Sequence, residues 1–197
     1  NEKPKRPQWN SLSNTNSSNY RVFIGHSLGP HLIDQEVLSK SSHIILLCSF
    51  GKFLPKGQDH RSIGMALKEM KENIGTQGEK KMLNKFLSKA CHPALKNALP
   101  PGPIEKGLSQ RGRERLKNDL NLLINTEGIP FGIPSSAKVL IVDGQEDLII
   151  PSNAKESLRN ELIKHLNKKP TSWEIPKAGH ALIVPKLIHD VLKWLDI

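Results

Sequence analysis

The chain has 197 residues and a mass of 22.0 kDa, enough for one domain with a substantial core and an inserted subdomain. Hydrophobic residues make up 37% and charged residues 24%, there are two cysteines, and no long uncharged apolar run occurs; this excludes collagen-like, mucin-like and disulfide-scaffold proteins and a transmembrane helix. Lys and Arg total 29 against 19 Asp and Glu, a net charge of +10, which points either to a polyanionic partner or to a Lys- and Asn-rich genomic bias.

Residues 1–19 are polar and rich in Pro, Ser and Asn, without the apolar stretch of a signal peptide, and read as a loop. Residues 20–24 form a strand candidate that runs into Gly25-His26-Ser27-Leu28-Gly29-Pro30. Pro30 suits the first turn of a helix, expected over 30–39. Residues 43–48 are nearly all apolar, as in a strand buried on both faces. Between 51 and 134 no strong strand appears; helices are expected over 62–73, 79–90 and 111–125, separated by Pro-rich connectors such as 99–103. Met65, Leu67, Met70, Met82, Leu83, Phe86 and Leu87 give these helices apolar faces, assigned to subdomain packing. The α/β pattern then returns, with strands over 138–142 and 171–175 and helices over 153–167 and 185–195. In the first of these helices Leu158, Leu162, Ile163 and Leu166 stand at helical spacing, and in the last Leu187, Ile188, Val191, Leu192 and Leu195 are expected to face in. Alternating apolar strands and helices imply a mostly parallel sheet covered on both faces. The expected division is a core at 1–50, a helical lid at 51–135 over the C-terminal edge of the sheet, and a second core segment at 136–197.

Gly25 to Gly29 fit the pattern G-x-S-x-G between a strand and a helix. Ser27 at a sharp, strained turn would project its hydroxyl above the sheet, with the flanking glycines allowing close passage of the chain. The backbone N–H of Leu28 would face a developing oxyanion. The acid and the histidine should follow in that order. Asp147 lies after one apolar strand and His180 after the last, so Ser27, Asp147 and His180 are the catalytic candidates. Asp143 is the rival acid, placed early for reaching the histidine, and His26 is read as a neighbour that packs or hydrogen-bonds beside the site. No Cys/His spacing suggests a metal and no Gly-rich loop suggests a phosphate, so no cofactor is expected. Cys48 and Cys91 fit a reducing compartment, and a cytoplasmic location is expected.

With its GHSLG, GQEDLIIP and AGHA motifs the chain resembles the α/β-hydrolase superfamily over nearly its whole length. More narrowly, GHSLGPHLI, LLCSFGKFLP and a basic helical lid resemble the pimeloyl-[acyl-carrier protein] methyl ester esterases, in the form found in cyanobacterial biotin synthesis. The resemblance implies hydrolysis of one methyl ester, with Ser27 as nucleophile, Asp147 as acid, His180 as base and Leu28 as one oxyanion donor. Complete members of the family carry further strands before the elbow, and draw a second oxyanion donor from a loop there. Only one strand candidate precedes Ser27, so the chain is expected to be part of a longer protein. Residues 51–135 hold 15 Lys and Arg against 8 Asp and Glu, an excess suited to an acidic acyl carrier protein. Arg111, Arg113, Arg115, Lys80, Lys81 and Lys85 are the docking candidates. The alternatives are a general carboxylesterase of small esters and a non-catalytic binding protein on a hydrolase fold. Neither a membrane nor nucleic acid is expected as a partner, the latter having only charge in its favour.

Overall fold

The computed structural model describes residues 20–54, 60–100, 102 and 107–196; the expected N-terminal loop and most of the second half of the 99–103 connector lie outside them. Four strands, β1 Val22–His26, β2 His43–Leu47, β3 Lys138–Gly144 and β4 Thr171–Ile175, form one parallel sheet in chain order. Val22 stands opposite His43, His43 opposite Lys138, and Leu140 opposite Thr171. The α-helices among the described residues are α1 Gly29–Leu32, α2 Gln35–Ser39, α3 His60–Asn73, α4 Glu79–Cys91, α5 Gln110–Ile124, α6 Ser152–His165 and α7 Leu187–Trp194.

The central strands β2 and β3 are apolar without alternation because both their faces are covered. Ile44, Leu46, Val139 and Ile141 pack with Leu38 of α2 and with Leu158 and Leu162 of α6. On the other face Ile45, Leu140 and Val142 meet Val191 of α7 and Leu195 just beyond it. Edge strand β4 alternates instead, with Trp173 and Ile175 half-buried and Ser172 and Glu174 exposed. A third cluster joins Phe50, Phe53, Leu67, Leu120, Ile150 and Ala154, and so ties α3 and α5 to the segments that follow β2 and β3. Each fully buried Leu or Ile here contributes about 1.5–3 kcal/mol.

Several expectations need local correction. The single helix over 30–39 is two, because Asp34 is extended and its side chain accepts the Glu36 N–H at 2.8 Å, starting α2 afresh. In α7, Ile188 is 75% exposed; it and Leu192 form a row beside the sheet-facing Leu187, Val191 and Leu195. Ile163 of α6 is exposed for the same reason, since a sheet covers only one stripe of a helix. Met65 of α3 is exposed rather than packed.

Candidate active site

Strand β1 delivers Ser27 at its C-terminal end with φ of 54°, in the left-handed region that a serine enters only under constraint. The constraint is supplied from β2: Ser27 N–H donates to Leu47 O at 2.9 Å, and Ser49 Oγ donates to Ser27 O at 2.9 Å. Gly25 is a steric necessity, since a Cβ there would lie 2.6 Å from Pro30 Cγ and 2.7 Å from Phe23 Cε1. Gly29 is not: a Cβ would meet nothing within 4 Å, which corrects the expectation that both glycines permit a close passage. Leu28 is the cap residue of α1, at a helix start whose first N–H groups have no acceptor within the helix.

The loop after β3 brings Asp147 to the same edge of the sheet. Its side chain is fully buried and its Oδ1 accepts from Ile149 N–H at 2.7 Å and Ile150 N–H at 3.1 Å. Its Oδ2 accepts from His180 Nδ1 at 3.1 Å. Burial pushes the Asp147 carboxyl up, but the bond and charge of His180 and the two amides outweigh it and hold the group at about 2. His180 follows β4 and is 3% exposed. Donation from Nδ1 to a carboxylate leaves Nε2 as the basic nitrogen.

The histidine loop is itself held by the helical segment between β2 and β3. Ala181 N–H donates to Ala90 O of α4 at 2.8 Å, and a Cβ at Gly179 would fall on His92 O. His92 also faces Glu146 of the acid loop at 3.4 Å. A cavity of about 330 Å³ lies between these parts, bordered by Ser27 and His180 on one side and by Phe86, Leu87, Ala90 and Leu99 on the other. Phe86 and Leu87 therefore wall the cavity, where sequence periodicity assigned them to subdomain packing.

The other candidates fall outside this relay. Asp143, the rival acid, is 1% exposed within β3 and bound to Arg159 at 2.7 Å. His26 donates from Nε2 to His180 O at 2.8 Å, its ring 4.7 Å from that of His180. Burial pulls the His26 imidazole down, so it stays neutral near pH 7. His31 and His165 bond the carbonyls of Phe50 and Ile133. Cys48 Sγ stands with the ring nitrogen of His180 and a carboxylate oxygen of Asp147 within 4.8 Å of one another. Burial pushes that thiol up to about 12, so it is protonated at neutral pH and packs against the relay as a neutral group.

Among the docking candidates, Arg113 is committed inside the helical segment, donating to both oxygens of Glu79 at 2.7 and 3.0 Å. Arg115 lies 3.9 Å from Asp119 on its own helix. Arg111, Lys80, Lys81 and Lys85 are exposed. Lys155 escaped the sequence reading: its Nζ lies 3.5 Å from Asp147 Oδ2 and donates to Gly144 O at 3.1 Å.

No protein-family model and no curated protein matches the sequence. Solved structures do. A thermophilic esterase matches with a TM-score of 0.55 at 20% identity, covering 90% of this chain and 66% of its own. MGS-M2, an α/β hydrolase enzyme from a Medee basin deep-sea metagenome library, matches with a TM-score of 0.56 at 17% identity, over 90% of this chain and 66% of that one. A bromoperoxidase from Bacillus anthracis matches with a TM-score of 0.53 at 13% identity, over 89% and 67%. The chain spans about two thirds of the length of these proteins.

Proposed function

The chain has the α/β-hydrolase fold, and we propose that it serves as a serine hydrolase of carboxylic esters. One observation carries this reading: His180, hydrogen-bonded to the buried Asp147, borders one cavity with the left-handed Ser27 at the C-terminal edge of the sheet. In the reaction Ser27 Oγ attacks the ester carbonyl and its proton passes to His180 Nε2. Asp147 stabilises the imidazolium, and the N–H of Leu28 receives the oxyanion. Collapse returns the proton to the leaving alcohol and leaves Ser27 acylated. Water, activated by the same imidazole, then releases the acid.

The finer proposal is that the ester is a methyl ester of an acyl chain borne on acyl carrier protein, as the pimeloyl-[acyl-carrier protein] methyl ester esterases hydrolyse. The GHSLGPHLI and LLCSFGKFLP segments support it, together with the basic excess of residues 51–135. The apolar wall of Phe86, Leu87 and Leu99 suits an aliphatic chain. A general carboxylesterase of small esters is the second reading, favoured by Arg113 being spent on Glu79 rather than on a partner. The test compares, for the full chain, kcat/KM on a carrier-bound methyl ester and on a free short ester, after a fluorophosphonate probe has established labelling at Ser27. A preference of at least about 100-fold for the carrier-bound ester supports the finer proposal; equal turnover supports the second. No labelling refutes both.

A further inference from the structure

Helix α6 offers two cations one turn apart, Lys155 and Arg159, to two buried carboxylates four residues apart on β3 and its loop. Arg159 pairs with Asp143 at 2.7 Å and Lys155 with Asp147 at 3.5 Å. The pairs differ in kind. Arg159 makes a short charge-assisted hydrogen bond. Lys155 spends its hydrogen bond on Gly144 O at 3.1 Å and stands beyond ordinary bonding distance from Asp147. Asp147 does not need it as a donor, because Ile149, Ile150 and His180 already supply three. What Lys155 brings to Asp147 is charge. It brings it to Oδ2, the same oxygen that holds His180 Nδ1. The Lys155 side chain is 14% exposed and that of Asp147 fully buried, so solvent screens the interaction little.

We infer that Lys155 is a positioning residue whose charge weakens the pull of Asp147 on the imidazolium that His180 forms in the reaction. This rests on the reading of Ser27, His180 and Asp147 as a relay. A carboxylate beside the imidazole favours its charged form; an ammonium on the same oxygen opposes that. The other groups around the relay are accounted for. Asp143 is balanced by Lys155 and Arg159 together, Glu146 faces His92, and Cys48 and His26 are neutral near pH 7. Lys155 thus acts on both carboxylates, and it is the ammonium that reaches Asp147, 3.5 Å from Oδ2.

The experiment is the rate of fluorophosphonate labelling at Ser27 of the full chain across about pH 5 to 10, for the unmutated protein, Lys155→Gln, Lys155→Met and Lys155→Arg. Gln keeps a donor for Gly144 O and loses only the charge; it remains readable if Met fails to fold. The half-point of the profile should rise by about one pH unit in Gln and Met and stay near the parent in Arg. Below the parent's half-point the Gln variant should label about 10-fold more slowly, and well above it at least as fast. A Gln half-point equal to the parent's overturns the inference while leaving the relay intact. So does an Arg shift as large as that of Gln, since the charge is then not what acts. An unmutated chain that is not labelled at Ser27 overturns both the inference and the relay.

Discussion

Replacing Asp147 by Asn is the perturbation whose outcome the geometry constrains most. Asn can keep its carbonyl oxygen toward Ile149 and Ile150, which donate at 2.7 and 3.1 Å. Its amide NH₂ must then face His180 Nδ1 and the Lys155 ammonium. A donor at that place forces His180 to accept at Nδ1 and carry its proton on Nε2, the nitrogen that must take the proton of Ser27. The alternative flip puts the NH₂ against two N–H groups. Turnover should fall about 10⁴-fold, through the wrong tautomer and not through loss of the fold. Stability changes separately. A carboxyl held at about 2 in the folded state, against an ordinary value of 3.8, contributes about 2 kcal/mol that Asn lacks. Because the folded value is the lower one, that contribution is fully present above about pH 4 and is lost as the pH falls through about 2. Urea midpoints should therefore separate parent and variant at pH 7 and converge near pH 2. Retention of more than a tenth of the parent's ester turnover would refute the reasoning. So would a larger loss from Asp143→Asn, which would move the acid's role to the Arg159 partner.

Ser27→Ala should abolish fluorophosphonate labelling while leaving the circular dichroism and urea midpoint near those of the parent; labelling that survives at another serine removes Ser27 from its role. Gly25→Ala should destabilise the chain by about 1–3 kcal/mol in urea, because its Cβ would overlap Pro30 and Phe23, whereas Gly29→Ala should fall within about 0.5 kcal/mol of the parent; the reverse ranking contradicts the packing at the turn. Reversing Arg111, Lys81 and Lys85 to Glu should slow a carrier-bound ester by about 10-fold or more and leave a free p-nitrophenyl ester almost unchanged, with added salt on the parent producing the same selective loss; equal effects on both substrates exclude docking through these charges.

The elements that were legible in the sequence are those whose residue pattern has one physical reading. Ile44 to Leu46 and Val139 to Val142 are continuous apolar runs rich in β-branched residues, the pattern of strands covered on both faces. Ser27, Asp147 and His180 were legible as candidates because each stands after a strand, in the chain order that a nucleophile–acid–histidine set uses. Neighbours set by the fold were not. Arg113 meets Glu79 across 34 residues, and nothing local distinguishes it from Arg111. Lys155 reads as a solvent-facing helix lysine until α6 is laid against the acid loop. Phe86 and Leu87 share an amphipathic stripe with the buried Leu83, and periodicity cannot say that the stripe ends over a cavity. The break at Asp34 was missed for the opposite reason: apolar residues on both sides suggested continuity, and the capping oxygen overrode it.

Taken together, the contacts of α4 make the shape of the cavity and the position of the base one mechanical unit. Phe86, Leu87 and Ala90 of α4 supply the cavity wall. The end of the same helix accepts the Ala181 N–H at Ala90 O, and His92 just beyond it closes on Gly179, one residue either side of His180. The His92–Glu146 contact at 3.4 Å extends the connection to the loop of Asp147. A helix seated in this way cannot tilt away from the sheet without pulling on the loop that aims the imidazole. Changes that shift α4 should therefore alter substrate affinity and turnover together, whereas a change confined to a wall side chain, such as Phe86, should move affinity alone. The helical segment acts on this site as part of the scaffold that holds the His180 loop, so the shape of the cavity wall and the placement of His180 beside Ser27 change together.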